Sequence, residues 1–123
     1  MTEPPLIAVV DDDESVRESL PDLIKDFGFT ARAFASAEAF LESECVTESN
    51  ALVLDVAMPG MSGPDLQREL ARRGHAIPIV FITAHGNAAM RSRLLAQGAS
   101  ECLQKPFSDT DLLAAIKSAL GLP

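Results

Sequence analysis

No tryptophan and no tyrosine occur in the 123 residues, and the six phenylalanines are scattered. A chain without aromatic platforms is poorly suited to single-stranded nucleic acid, whose bases stack on such rings. Positive charge is also scarce: 10 Lys and Arg stand against 18 Asp and Glu, a net charge of −8. An acidic surface repels phosphate backbones, so direct binding to nucleic acid is not expected; a cation or a partner with a basic face fits better. The two cysteines, Cys45 and Cys102, lack metal-ligand spacing and read as ordinary reduced thiols. The amino-terminal stretch Met1-Thr2-Glu3-Pro4-Pro5 has no basic region, and no signal peptide is expected. No apolar run reaches the length that crosses a membrane. A cytoplasmic chain with no membrane partner is the expectation.

What remains is an apolar chain with regular punctuation. Hydrophobic residues make up 47% of it, too many for global disorder. The length suits one domain over residues 1–123, with a core from about 6 to 120. Apolar runs predict strands at Leu6–Val10, Thr30–Phe34, Ala51–Leu54, Ile77–Ile82 and Glu101–Gln104. The third and fourth are nearly all apolar, as in parallel strands buried on both faces. Helical patterns lie between them. Val16, Leu20, Ile24 and Phe27 form a stripe that stops at Gly28, and Pro21 is expected to kink it near Arg17. A second helix starts near Ser36 and carries Phe40 and Leu41. A third runs from the Ser62/Asp65 capping box to Gly74, and a fourth carries Met90, Leu94 and Leu95 and stops at Gly98. The last starts at Ser108, with Asp111 three residues on, and is expected to bury Leu112, Leu113, Ile116 and Leu120. This alternation predicts an α/β fold: a doubly wound, five-stranded parallel sheet of order 2-1-3-4-5, covered by helices on both faces.

In such folds the site lies where the strands end at their carboxyl side. Strand one ends in Asp11-Asp12-Asp13, strand three in Asp55, strand four in Thr83, and strand five leads to Lys105. Adjacent carboxylates at the edge of a low-dielectric core repel one another unless a cation compensates, and hard oxygen ligands point to Mg²⁺, with Mn²⁺ as a substitute. One carboxylate at such a place can act as a nucleophile and form an acyl phosphate. A hydroxyl and an ammonium then stabilise the charge on the transferring oxygens. Asp55, alone at a central strand's end and leading into an exposing loop, Val56–Met61, is the expected nucleophile. Asp13 is the acid best placed as a simple helix cap.

These residues, taken in order, resemble the receiver domains of two-component response regulators. The resemblance runs from about Leu6 to Leu120. It is carried by Val10-Asp11-Asp12-Asp13, Asp55-Val56-Ala57-Met58-Pro59-Gly60-Met61-Ser62-Gly63, Thr83-Ala84 and Lys105-Pro106-Phe107. It implies a flavodoxin-like, three-layer receiver fold and a phosphorelay switch rather than an enzyme acting on a separate substrate. Asp55 is implied as phosphoacceptor. Asp12, Asp55 and the Ala57 carbonyl are implied as direct Mg²⁺ ligands, with Asp11 acting through water. Thr83, Lys105 and the Ala84 N–H are implied as phosphoryl contacts, and the Lys105-Pro106 bond as cis. The donor would be a phosphohistidine on a sensor histidine kinase, or a small acyl phosphate.

Further expectations follow from the resemblance. Ala57 and His85 would flank the water path to the phosphoryl group and set its lifetime. His75 reads as a solvated loop residue. Thr83 and strand five would form the switch, but Cys102 stands where similar domains carry Tyr or Phe. A small thiol cannot exchange places with a threonine as a ring does; its more reactive reading is a redox sensor, its plainer one a buried inert thiol. The bistable element would be the fourth helix with its loop, Ala84–Ala89. The output surface would be the fourth helix, fifth strand and fifth helix, with Arg91, Arg93 and the apolar Leu94–Ala96 region offered to an output domain, a partner protein or a second copy. The segments Ile82–Gly86 and Lys105–Phe107 resemble receivers attached to LuxR-type helix-turn-helix domains, which implies transcriptional regulation. Two other readings are weaker. A haloacid-dehalogenase-like phosphatase also uses a strand-end Asp-x-Asp, but it needs further acids on a strand after the lysine. A phosphorylation-independent adaptor is hard to reconcile with a complete set of site residues.

Overall fold

The computed structural model describes residues 3–123. Met1 and Thr2, which begin the stretch read above as lacking a signal peptide, lie outside the described residues. The strands are β1 (Leu6–Val10), β2 (Thr30–Phe34), β3 (Ala51–Asp55), β4 (Ile79–Thr83) and β5 (Glu101–Gln104). The helices among the described residues are α1 (Glu14–Asp26), α2 (Ala37–Leu41), α3 (Cys45–Glu48), α4 (Gly63–Arg72), α5 (Ala88–Ala96) and α6 (Asp109–Leu120). All strand pairs are parallel, and the order is β2-β1-β3-β4-β5 as expected.

Side chains on a strand alternate between faces, and this alternation divides the core into two layers. Ala8, Val10, Leu52, Leu54, Phe81 and Cys102 pack beneath α2, α3, α4 and α5 with Phe40, Cys45, Leu66, Leu70 and Leu94. Ile7, Val9, Ala51, Val53 and Ile82 pack beneath α1 and α6 with Leu20, Ile24, Leu112 and Ile116. Each large side chain buried this way contributes about 1.5–3 kcal/mol relative to exposure, against about 1 kcal/mol for a helix cap. Packing therefore holds the helices, and the caps at Asp13, Ser36, Ser62, Asn87 and Ser108 fix where they begin. The glycine stops also stand where expected, with Gly28, Gly74 and Gly98 all left-handed.

Several boundaries differ from the sequence reading. The second helical segment is followed by a separate short helix. Ser43 Oγ donates to the Phe40 carbonyl (2.7 Å) and accepts the Cys45 N–H (3.2 Å), a local alternative to continued helix. The fourth and fifth helices of the sequence reading are therefore α5 and α6. β4 starts at Ile79 rather than Ile77, because Pro78 has no N–H to give to the ladder, although its carbonyl accepts from Leu52 (2.9 Å). Leu113 is only half-buried; the inner face of α6 is Leu112, Ala115 and Ile116, and Leu113 is turned about 100° away from Leu112. Leu94 is 4% exposed and belongs to the core, so only Leu95 and Ala96 of the expected apolar output region reach the surface. No helix among the described residues is long and apolar enough to cross a membrane.

One contact ties the fold directly to the end of β3. A Cβ on Gly63 would lie 2.3 Å from the backbone oxygen of Asp55 and 3.0 Å from the Phe81 ring. The first turn of α4 thus lies directly against the strand, and only hydrogen fits there. Gly63→Ala is expected to cost about 2–3 kcal/mol, since backbone and a buried ring must both yield. Urea unfolding should show the midpoint fall with the slope unchanged; an unaltered midpoint would mean the α4 start has slack.

Candidate functional site

The strand ends converge as the sequence predicted. Asp11, Asp12, Asp55, Ala57, Thr83, Ala84, His85 and Lys105 line one cavity of about 290 Å³ at the carboxyl edge of the sheet, with Asp13, Val56 and Met90 completing its wall. A larger hollow of about 820 Å³ lies near the amino ends of β1 and β2, around Leu6, Thr30 and Asn50, but its only charged lining is Glu3 and Glu48. The chemistry is concentrated in the smaller one.

Asp11 is fully buried, and both of its carboxylate oxygens are engaged. Oδ1 accepts the Asp13 N–H (2.9 Å) and Oδ2 accepts from Lys105 Nζ (3.0 Å). Its carbonyl accepts from Arg17 Nη1 (3.1 Å), which ties the turn to α1. Asp12 is exposed at the cavity mouth. Asp13 caps α1 by accepting the Ser15 N–H (2.9 Å), the role assigned to it from sequence. Lys105 precedes a cis bond to Pro106, as the resemblance implied.

Asp55 is less open than its sequence position suggested. It is 7% exposed, because β3 stays buried on both faces to its last residue and Val56 still donates to the Ile82 carbonyl (3.0 Å). The following loop is pinned rather than loose. Gly60 is left-handed (φ +73°), Met58 is buried, Glu38 of α2 accepts the Met61 N–H (3.3 Å), and Gly63 donates to the Val56 carbonyl (3.0 Å). Burial first, and then the Asp11 carboxylate, pushes the Asp55 carboxyl up to about 7; Lys105 and the Ala57 N–H pull the other way.

One carboxylate oxygen each from Asp11, Asp12 and Asp55 lies within 4.8 Å of the others. An all-oxygen, all-anionic donor set of this kind suits a hard divalent cation. Proton uptake by Asp55 and cation binding are two answers to the same crowding of charge.

On β4, Thr83 is 4% exposed, and its Oγ1 accepts the His85 N–H (3.2 Å). His85 is exposed on the cavity wall, whereas His75 is half-buried between α4 and β4, its N–H donating to the Leu70 carbonyl (2.9 Å). Asn87 caps α5 by accepting the Met90 N–H (2.8 Å), so the loop between β4 and α5 covers residues 84–87 rather than 84–89. Cys102 is buried, and that burial raises its thiol pKa, which favours the inert reading over the redox one. Arg91, expected on the output surface, is exposed there and pairs with Glu101 (2.6 Å). The sequence reading did not pick out Arg17, Glu38 or Gly86. Arg17 sits six residues beyond the acid it holds, and Glu38 acts across 23 residues of sequence, so neither has a local signature.

The raised Asp55 carboxyl has a consequence for stability. Between about pH 4 and 7 the folded chain holds a proton there that the unfolded chain has released, so metal-free stability should fall as pH rises through this window. Thermal melting in EDTA is expected to drop by roughly 5 °C or more from pH 5 to pH 8, with Mg²⁺ restoring most of it and Asp55→Asn flattening the profile. A parent profile identical to that of Asp55→Asn would show that this carboxyl is not shifted.

Comparison with known proteins agrees with the geometry. The model of the "Response regulator receiver domain" family matches residues 7–117. Response regulator protein TmoT of Ectopseudomonas mendocina is 44% identical over 117 residues, covering 95% of this chain and 53% of that protein. Transcriptional regulatory protein FixJ of Azorhizobium caulinodans is 37% identical, covering 94% of this chain and 54% of that one. Among solved structures, response regulator StyR superposes with a TM-score of 0.87 at 47% identity, over 96% of this chain and 60% of that one. The chain spans about half the length of the curated relatives it matches. With its parallel sheet, its acid cluster and a family match over nearly its whole length, the chain belongs to the response regulator receiver domains of two-component systems.

Proposed function

We propose that residues 1–123 act as a single receiver unit, with a core from about 6 to 120, that accepts a phosphoryl group on Asp55. The observation that carries this reading is the one cavity in which Asp55 meets two further carboxylates, a hydroxyl and an ammonium. A carboxylate oxygen of Asp55 attacks phosphorus in line. The bond from phosphorus to the donor's imidazole nitrogen breaks, and its electron pair leaves with the imidazole. Asp55 must be ionised to attack, so its proton has to be displaced first; Asp11, Asp12, Asp55 and the Ala57 carbonyl are the groups that would hold Mg²⁺ or Mn²⁺. The cation, when bound, neutralises charge on the phosphoryl oxygens and on the three acids.

Lys105 then has a second anion within reach. Its Nζ is held on Asp11 in the resting chain, and a phosphoryl group on Asp55 adds negative charge to the same cavity. Thr83 Oγ1 and the Ala84 N–H supply further donors there. The signal would leave through residues 84–87 and the surface of α5, β5 and α6, towards an output domain, a partner protein or a second copy of the chain. The relatives' description as transcriptional regulators supports transcription as the output, with a sensor histidine kinase as donor and the cytoplasm as the place of action.

Intact mass after incubation with Mg²⁺ and acetyl phosphate tests this reading. One added phosphoryl group is expected in the parent, none with EDTA and none in Asp55→Asn. Lys105→Ala should slow the addition by about 10²-fold. Metal-dependent phosphate release that survives Asp55→Asn would favour the phosphatase reading, and no adduct at all would favour the adaptor. His85 stands on the cavity wall, and His85→Ala is expected to change the lifetime of the acyl phosphate; an unchanged lifetime would make it a bystander.

A further inference from the structure

Gly86 lies three residues beyond Thr83, in the short loop between β4 and α5. A Cβ at Gly86 would stand 2.6 Å from Thr83 Cγ2, closer than two carbons can sit, while Thr83 Oγ1 would be 4.0 Å away. The clash is thus specific to the threonine methyl. Thr83 has little room to give, being 4% exposed and β-branched, with a stiff χ1. The loop is held at both ends: His85 N–H donates to Thr83 Oγ1 (3.2 Å), Lys105 N–H donates to the Thr83 carbonyl (2.8 Å), and Asn87 caps α5. A cavity of about 150 Å³, lined by Thr83, Gly86, Arg91, Cys102 and Gln104, adjoins them. It is large enough for a methyl group to turn into.

The geometry points to Gly86 as a positioning residue that sets the rotamer of Thr83. Its missing side chain is the seat of the threonine methyl, and that seating turns the hydroxyl towards the His85 amide. A side chain at position 86 displaces the methyl from this seat and takes the hydroxyl off the His85 N–H. This deepens the reading of Thr83 as a phosphoryl contact and rests on it.

The test uses Gly86→Ala, alone and combined with Thr83→Ser, which keeps the hydroxyl but has no methyl to clash. In isotope-labelled protein, three-bond couplings to the Thr83 methyl read χ1 directly and need no phosphoryl transfer. Gly86→Ala is expected to move Thr83 to a different rotamer. It should also change the rate of Asp55 phosphorylation by acetyl phosphate several-fold in the parent background, while leaving the rate in Thr83→Ser nearly unchanged. Unmoved couplings would overturn the seat. Moved couplings with no change in rate, or with the same change in both backgrounds, would overturn its positioning role. A parent that takes no phosphoryl group would remove the Asp55 reading and with it that role, while the steric seat would still stand or fall on the couplings.

Discussion

Like charges that the fold cannot separate govern this molecule. Asp11 and Asp55 end neighbouring strands of one parallel sheet, both are buried, and their carboxylate oxygens lie within 4.8 Å. At an effective dielectric of about 20, two unit charges at that distance repel by about 3–4 kcal/mol. Strand register offers no escape, since β1 and β3 are paired over residues 7–10 and 51–54. Lys105 is the one Lys or Arg lining the cavity, and it sits on Asp11 at 3.0 Å. One ammonium offsets one carboxylate. Burial and the Asp11 carboxylate push the Asp55 carboxyl up to about 7, and the site remains short of a cation. That shortfall is what suits the cluster to a hard divalent cation.

The backbone around the acids fixes this imbalance in place. Glu38 from α2 holds the loop after Asp55, and α4 begins with its glycine against the Asp55 carbonyl. Arg17 of α1 ties the Asp11 carbonyl, so the first acid cannot swing out to relieve the repulsion. The β4–α5 loop is secured by the Thr83–His85 bond and the Asn87 cap.

The sheet, its order and the identity of the clustered acids were legible in the chain because each has a local signature. Val9-Val10-Asp11 and Val53-Leu54-Asp55 announce strand ends in their own letters, and the capping boxes announce helix starts. Exposure was not legible. Asp55 seemed open because a Pro- and Gly-containing loop follows it, yet Val56 continues the pairing to β4 and closes over it. Leu94 read as a surface feature of a helix, but it faces the core, while the exposed Arg91 finds Glu101 on β5. Such outcomes depend on which face of a helix meets the sheet. A helix with little amphipathic contrast, as α5 is, leaves that to tertiary packing.

Cys102 narrows the route by which such a domain can transmit a change. A ring at this position on β5 would fill the space behind Thr83, so that threonine and ring could only move together. The thiol leaves about 150 Å³ between Thr83, Gly86, Arg91 and Gln104. A Thr83 side chain displaced in that direction meets no ring to exchange places with. What Thr83 does contact is its own loop: its hydroxyl holds the His85 amide, and its methyl rests where Gly86 has no side chain. Any displacement of Thr83 is therefore felt first along residues 84–87 and at the Asn87 cap, and only through them by α5. If phosphorylation of Asp55 moves Thr83, this packing favours a path along the backbone of residues 84–87 over a steric path through β5.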